Sequence, residues 1–294
     1  SNNILKKFEN ISWNESIKSL HKPENIGNYK KNFYQRLAFD EIFSTFLVNS
    51  EIRKKIKKIK KINKVLDIKK QNNIIKKLEF SLTNDQMKTL SEINKDLGSS
   101  NKMFRLLQGD VGSGKTIVSL LSAYNSVNSG FQVAVMAPTE ILARQHFTLA
   151  KKIFPKNLKV EIISGKSDYK NKKIILNKLL NHEIDIIFGT HAIFQKKVNF
   201  KKLGLIIIDE QHKFGVNQRK KLSDKGGIDC DVLLMTATPI PRTLTMTIYG
   251  DMDISIIREK PANRKMIKTY SKIESKIEDV LKFIKKEIKL DNQI

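Results

Sequence analysis

The sequence predicts an α/β fold built on a doubly wound parallel sheet, and three observations carry that prediction. From Phe80 onward, short apolar runs of four to six residues alternate with longer amphipathic stretches. The runs are mostly β-branched residues or leucine, as strands covered on both faces need to be. Polar residues able to do chemistry follow the runs, at the carboxyl ends of the expected strands, where ligands sit in such folds.

In chain order, residues 1–79 read as helical and polar, with the densest basic run between Glu51 and Lys77. There Ile52, Ile56, Ile59, Ile62 and Leu66 recur at spacings of three and four, which predicts an apolar stripe on a lysine-coated helix. Such a helix packs on a neighbouring domain with its lysines solvated, or sets those lysines against nucleic-acid phosphates. Strands are expected at 105–108, 133–137, 160–164, 185–189, 205–209 and 232–236. Helices over 116–129, 141–153 and 169–181 supply the crossovers. From Asp251 the chain reads as a polar connector that ends in a basic amphipathic helix over 273–288. The expected domains are therefore a helical segment (1–79), an α/β domain (80–255), and a connector leading into the truncated start of another domain (256–294).

Composition narrows the function classes. With 294 residues and 40% hydrophobic content the chain can bury a core, which excludes wholesale disorder. One cysteine, Cys230, allows neither an internal disulfide nor a Cys-rich metal site, and suits a reducing compartment. No apolar run approaches the roughly 18–20 residues of a membrane span, and no apolar signal-peptide core opens the chain, so a cytoplasmic location is expected. Lys+Arg 55 against Asp+Glu 30 gives a net charge of +25, which points to a polyanionic partner. Only eight of those 55 are arginine, however, and lysine, asparagine and isoleucine share A/T-rich codons, so a biased genome supplies part of the charge. The chain starts at Ser1 and stops on the approach to a strand, so a piece of a longer protein is expected.

After the first expected strand comes Gly109-Asp110-Val111-Gly112-Ser113-Gly114-Lys115-Thr116, the full G-x-x-x-x-G-K-[ST] pattern between a strand and a helix. Its glycines let successive N–H groups face phosphate oxygens; Lys115 reaches the β- and γ-phosphates, and Thr116 holds Mg²⁺. The helix that follows adds the partial positive charge of its N-terminus. The fifth strand delivers Asp209 and Glu210 together, a costly placement unless a cation or a reacting group needs them. Asp209 fits a Mg²⁺ ligand and Glu210 the base that orients the attacking water. The sixth strand ends in Thr236-Ala237-Thr238-Pro239, a rigid polar turn that is weak evidence alone.

Taken together and in order, Gly109–Thr116, Ala137–Glu140, Gly189–His191, Asp209–His212 and Thr236–Pro239 resemble the first motor domain of a superfamily 2 helicase, with its RecA-like P-loop sheet. Phe80–Gln86 resembles the preceding adenine-reading segment of that superfamily, with Gln86 recognising the base. More narrowly, Asp209–Val216 with Gln218 and Arg219, and Met235–Leu244 with Tyr249–Asp251, resemble the RecG family of bacterial branched-DNA translocases. Leu20–Pro23 and Arg36–Glu41 are similar to that family's stretch between its wedge domain and its motor.

The resemblance implies an ATP-dependent DNA helicase of DNA repair and recombination, using ATP and Mg²⁺ and acting on forks and junctions; nothing in the sequence demands more than a monomer. It places Thr139, Glu140, Arg144, Gly189, Thr190 and His191 along the DNA track, and has Gln211, His212, Thr236 and Thr238 couple nucleotide state to that track. It also implies a wedge domain and a second motor domain carrying arginine fingers, so the present chain alone is expected to hydrolyse ATP poorly. Two departures stand out: Lys213 where the family has arginine, which loses the planar fork, and Pro261-Ala262-Asn263-Arg264 in place of a Pro-Pro-Gly-Arg-like turn. A transcription-repair coupling translocase, an RNA-dependent ATPase and a basic DNA-binding module are the rival readings. Glu210-Gln211, the run through His212, and the intact Lys115, Thr116, Asp209 and Glu210 respectively count against them.

Overall fold

The structure, a computed structural model, describes residues 11–22, 29–163, 169–195, 197–210, 227–238, 252–261 and 269–292. The six strands read from the sequence are present, each within two residues of its expected ends. They are β1 (Phe104–Gly109), β2 (Gln132–Met136), β3 (Val160–Ile163), β4 (Ile186–Gly189), β5 (Leu203–Ile208) and β6 (Asp231–Thr236). A seventh, β7 (Asp253–Ile257), corrects the reading of everything beyond Asp251 as connector. It escaped notice because it is half-buried at the sheet edge, so its Asp-Ile-Ser-Ile-Ile pattern is only partly apolar. All pairings are parallel and the order is β3-β4-β2-β5-β6-β1-β7.

Helices cover both faces, as buried parallel strands require. They are α1 (Trp13–His21), α2 (Tyr29–Lys58), α3 (Ile68–Lys76), α4 (Asn84–Gly98), α5 (Lys115–Asn128), α6 (Glu140–Ile153) and α7 (Tyr169–Leu180). Alternate strand residues feed two cores. Leu107, Val133, Val135, Ile207 and Leu233 pack with Ile74 of α3, Ile93 and Leu97 of α4 and Leu121 of α5. Leu106, Ala134, Ile206 and Leu234 pack on the other side with Leu179 of α7. Each such fully buried side chain contributes about 1.5–3 kcal/mol.

The expected lysine-coated helix through Leu66 is not continuous. α2 stops at Lys58, and residues 59–67 run extended as a strap before α3 begins. Other groups claim the backbone bonds a helix would have used: Lys61 N–H donates to the Ser100 carbonyl (2.9 Å) and Ile62 N–H to Asp229 Oδ1 (2.7 Å). The stripe is also inverted, because Ile62 is 56% exposed while the side chains of Lys61 and Lys64 are 0% exposed. Both ammonium groups face Asp231 at the start of β6, at 3.1 and 2.7 Å. Asp231 Oδ1 also accepts Met103 N–H at 2.7 Å, and Lys61 donates to the Leu97 carbonyl at 2.8 Å. Further along, Arg53 of α2 pairs with Asp253 of β7.

Residues 1–261 form one compact unit and 262–294 a second. In the second, a 3₁₀ turn over Glu274–Lys276 leads into α8 (Ile277–Lys289), where the sequence placed a basic amphipathic helix. No helix among the described residues is long and apolar enough to cross a membrane.

Candidate functional site

Because every strand runs the same way, the loops after all of them open on one edge of the sheet, and the strand order decides which become neighbours. β5, β6 and β1 lie side by side, so the loop after β1 emerges next to Asp209–Glu210 after β5 and Thr236–Thr238 after β6. β4 and β2 lie side by side beyond β5, which collects Gly189–His191 and Thr139–Arg144 on the other half of that edge.

The phosphate loop is shaped by its glycines. Gly114 sits at φ 91°, and a Cβ there would lie 2.2 Å from Gln86 Nε2. At Gly109 a Cβ would lie 2.5 Å from Ser113 Oγ and 3.0 Å from the Ile257 carbonyl, so β7 and the loop together leave room only for glycine. Lys115 opens α5, is buried, and donates to the carbonyls of Gly109 (2.6 Å) and Asp110 (3.0 Å). Burial presses its pKa below the ordinary lysine value, against the opposing pull of Asp209, Glu210 and Asp110.

Gln86, expected to read adenine, is 1% exposed, and both ends of its amide are used within the chain. Its Nε2 donates to the Ser113 carbonyl (2.7 Å), and its Oε1 accepts Thr83 N–H (2.9 Å) in a capping box that starts α4. Gln86 thus ties the first turn of α4 to the phosphate loop. The neighbouring Asp85 does the same for the chain after β7. Its Oδ2 accepts the N–H groups of Arg258 (2.8 Å) and Glu259 (3.0 Å), and its own N–H donates to Glu259 Oε2 (3.1 Å). These bonds hold its carboxyl below the usual carboxylate range.

Asp209 is nearly buried at the end of β5, and its Oδ1 accepts the N–H of Glu210 (3.0 Å). Glu210 adopts φ 50°, a left-handed conformation costing about 1–3 kcal/mol for a non-glycine residue. Asp209 Oδ2 lies 2.8 Å from Nε2 of His146, a buried residue of α6 that the sequence reading passed over. One signal was available: Ala143, His146 and Ala150 form the core-facing stripe of α6, and a polar ring in such a stripe needs a partner. After β6, the hydroxyls of Thr236 and Thr238 meet at 2.7 Å.

On the β2–β4 half of the edge, Thr139 caps α6 through Leu142 N–H (3.3 Å), while Glu140 and the exposed Arg144 follow on that helix. Gly189 needs its small size for the sheet itself, since a Cβ would lie 2.5 Å from the Ile163 carbonyl. Thr190 precedes the 3₁₀ turn His191–Phe194, and its side chain makes no capping bond. Gln211, His212, Lys213, Gln218, Arg219, Pro239–Asp251, Ala262–Arg264 and Pro23 lie outside the described residues.

The residues present suit a Mg²⁺–nucleotide. Among the described residues, Ser113 Oγ on the loop is buried with no hydrogen-bond partner. Thr116, Asp209 and Glu210 offer the hard oxygen atoms that Mg²⁺ prefers. No group of three His, Cys, Asp or Glu residues among the described residues could cage a metal alone, so an ion here would complete its shell with phosphate oxygens and water.

The parallel sheet and this loop fit the family comparison: residues 82–247 match the DEAD/DEAH box helicase family, to which the chain belongs. Among individual proteins, it is 42% identical over 293 residues to the ATP-dependent DNA helicase RecG of Streptococcus pneumoniae, covering 99% of this chain and 43% of that protein. The RecG of Aquifex aeolicus is 44% identical over 289 residues, covering 95% of this chain and 36% of the relative. The chain therefore spans less than half the length of these relatives. A solved structure of RecG bound to a three-way DNA junction superposes with a TM-score of 0.80 at 38% identity, over 93% of this chain and 37% of that one. The DEAD-box helicase Mss116, at 22% identity and a TM-score of 0.56, shares the fold.

Proposed function

We propose that this chain is the nucleotide-binding half of an ATP-driven motor that remodels branched DNA, such as stalled forks and recombination intermediates, in the cytoplasm and as a monomer. The observation that supports this reading is the strand order, in which the loops after β1 and β5 flank the one after β6, and the loops after β2 and β4 follow on the far side of β5. The likeness to RecG over nearly the whole chain supports the branched-DNA substrate.

In this mechanism Lys115 and the loop N–H groups bind the β- and γ-phosphates. Thr116 and Asp209 would hold Mg²⁺, which when bound neutralises phosphate charge. Glu210 orients the attacking water, and Gln211 and His212 couple the nucleotide state to the track. Thr139, Glu140, Arg144, Gly189, Thr190 and His191 face the DNA backbone, where hydroxyls and small residues hold phosphates without reading bases. Thr236 and Thr238 pass the nucleotide state to that track. Unpairing costs about 1.4 kcal/mol per base-pair step, and re-pairing behind the motor returns most of it, so fork regression suits a modest motor. In this reading a second motor domain supplies an arginine finger worth about 10³–10⁵ in rate, so hydrolysis by the 294 residues alone is expected to be slow.

The test is ATP turnover by the longer protein, with its wedge and second motor domain, on forked DNA, linear duplex and structured RNA, with Lys115→Ala as the blank. Stimulation by the fork above the other two is expected. Equal stimulation by RNA, or by linear duplex, would leave only a generic helicase-family ATPase, the latter favouring a duplex translocase of the transcription-repair coupling type.

A further inference from the structure

We propose that His146 is a positioning residue for Asp209, fixing the carboxylate that the functional reading above assigns to Mg²⁺ and tying it to the helix that carries the track; the inference rests on that reading. Asp209 has two oxygens, and the chain engages both. Oδ1 accepts Glu210 N–H at 3.0 Å, and Oδ2 meets His146 Nε2 at 2.8 Å. A carboxylate only accepts, so Nε2 carries the proton. The His146 and Asp209 side chains are 8% and 11% exposed, so water does not replace this bond at low cost.

The contact crosses the boundary between the two halves of the sheet edge. His146 lies on α6, two turns beyond Thr139 and Glu140, whereas Asp209 closes β5. α6 follows β2, and β2 pairs with β5, where Asp209 N–H donates to the Met136 carbonyl at 2.8 Å. Asp209 is thus held from its backbone by β2 and from its side chain by the helix after β2. A displacement of α6 against DNA reaches the Asp209 carboxylate through one hydrogen bond, with no intervening residue.

Removing the hydrogen-bond partner behind a metal ligand typically weakens metal binding about 10–100-fold. The experiment titrates Mg²⁺ into the 294-residue chain with a fluorescent ATP analogue, and compares the Mg²⁺ concentration for half-maximal tightening. His146→Asn, too short to place a donor at the Nε2 position, is expected to raise that concentration about tenfold. His146→Gln, whose amide nitrogen reaches it, is expected to stay within about threefold of the parent, and binding without Mg²⁺ to be the same in both. A merely structural role predicts the two substitutions to act alike on Mg²⁺ dependence, and that result overturns the proposal. It is also overturned if His146→Asn titrates as the parent while Lys115→Ala weakens nucleotide binding about tenfold or more, which leaves the functional reading intact. Undiminished nucleotide binding by Lys115→Ala sinks both.

Discussion

At Gly114, backbone conformation and packing agree on one residue type. A methyl group added at φ 91° would be strained and would press on the amide of Gln86, which is itself bonded to Ser113. Gly114→Ala is therefore expected to destabilise the domain by about 1–3 kcal/mol and to weaken nucleotide binding, read by thermal melting and by titration with a nucleotide analogue. Lys115→Ala should behave differently. It removes charge-assisted bonds worth about 1.5–3 kcal/mol, so nucleotide affinity falls between tenfold and about a hundredfold. The fold is expected to survive it, because Asp110, one of the two residues whose carbonyls lose the ammonium, is exposed. The phosphate-loop candidate could be picked out from sequence because that chemistry dictates residue types at fixed spacing. His146 could not, since a single histidine on a helix carries no spacing signal and acquires meaning only when β5 is placed beside β2. The bonds of Gln86 to Thr83 and Ser113 were not legible, because the helix-start position can be read from sequence but not which way its amide turns.

Among the elements, α4 has a first turn that serves three masters: its own cap through Thr83, the phosphate loop through Gln86, and the chain after β7 through Asp85. Asp85→Ala is expected to raise amide hydrogen exchange at Arg258 and Glu259 while leaving the sheet core protected. Its carboxyl is held below the ordinary value of 3.8, so this contribution is complete above that value and disappears as pH falls through the folded-state value. The 59–67 strap carries the opposite sign. Burial lowers the Lys61 pKa from 10.5, with Asp231 only partly opposing, so the unfolded chain binds that proton more tightly. Stability should therefore rise with pH between the folded-state value and 10.5, a gain that urea midpoints at about pH 7 and about pH 10 will register and that Lys61→Met should abolish. Lys61→Met itself is expected to be neutral or mildly stabilising, because it leaves Lys64 and Asp231 as a one-to-one pair. The strap defeated sequence reading for a compositional reason. In a chain so rich in lysine and isoleucine, helical spacing of isoleucines arises by chance, and the two lysines that turn inward look like all the others. β7 was missed because edge strands need only one apolar face.

For the molecule as a whole, the parallel sheet sorts residues by task along its length. Loops at the carboxyl edge carry the candidate chemistry, whereas Asp231, Lys61 and Lys64 lock the amino edge of β6. The fold class was predictable because that alternation of strand and helix repeats through the chain. The relation between the two compact units was not, since nothing in local sequence encodes it. If lysines along the track face phosphates in addition to the residues named, DNA binding by the longer protein should weaken steeply with salt, about one log unit of affinity per log unit of salt for each phosphate neutralised.

β6 runs from Asp231 to Thr236, so its lock and its hydroxyl stand about 16 Å apart at about 3.3 Å per residue. That separation makes Asp231 a natural place for a conditional allele. Asp231→Asn keeps an acceptor for Met103 N–H but leaves two buried ammonium groups without a counter-charge, a change of about 3–5 kcal/mol. A cell carrying it should grow normally in the cold and lose the motor on warming, with nucleotide affinity at the permissive temperature unchanged.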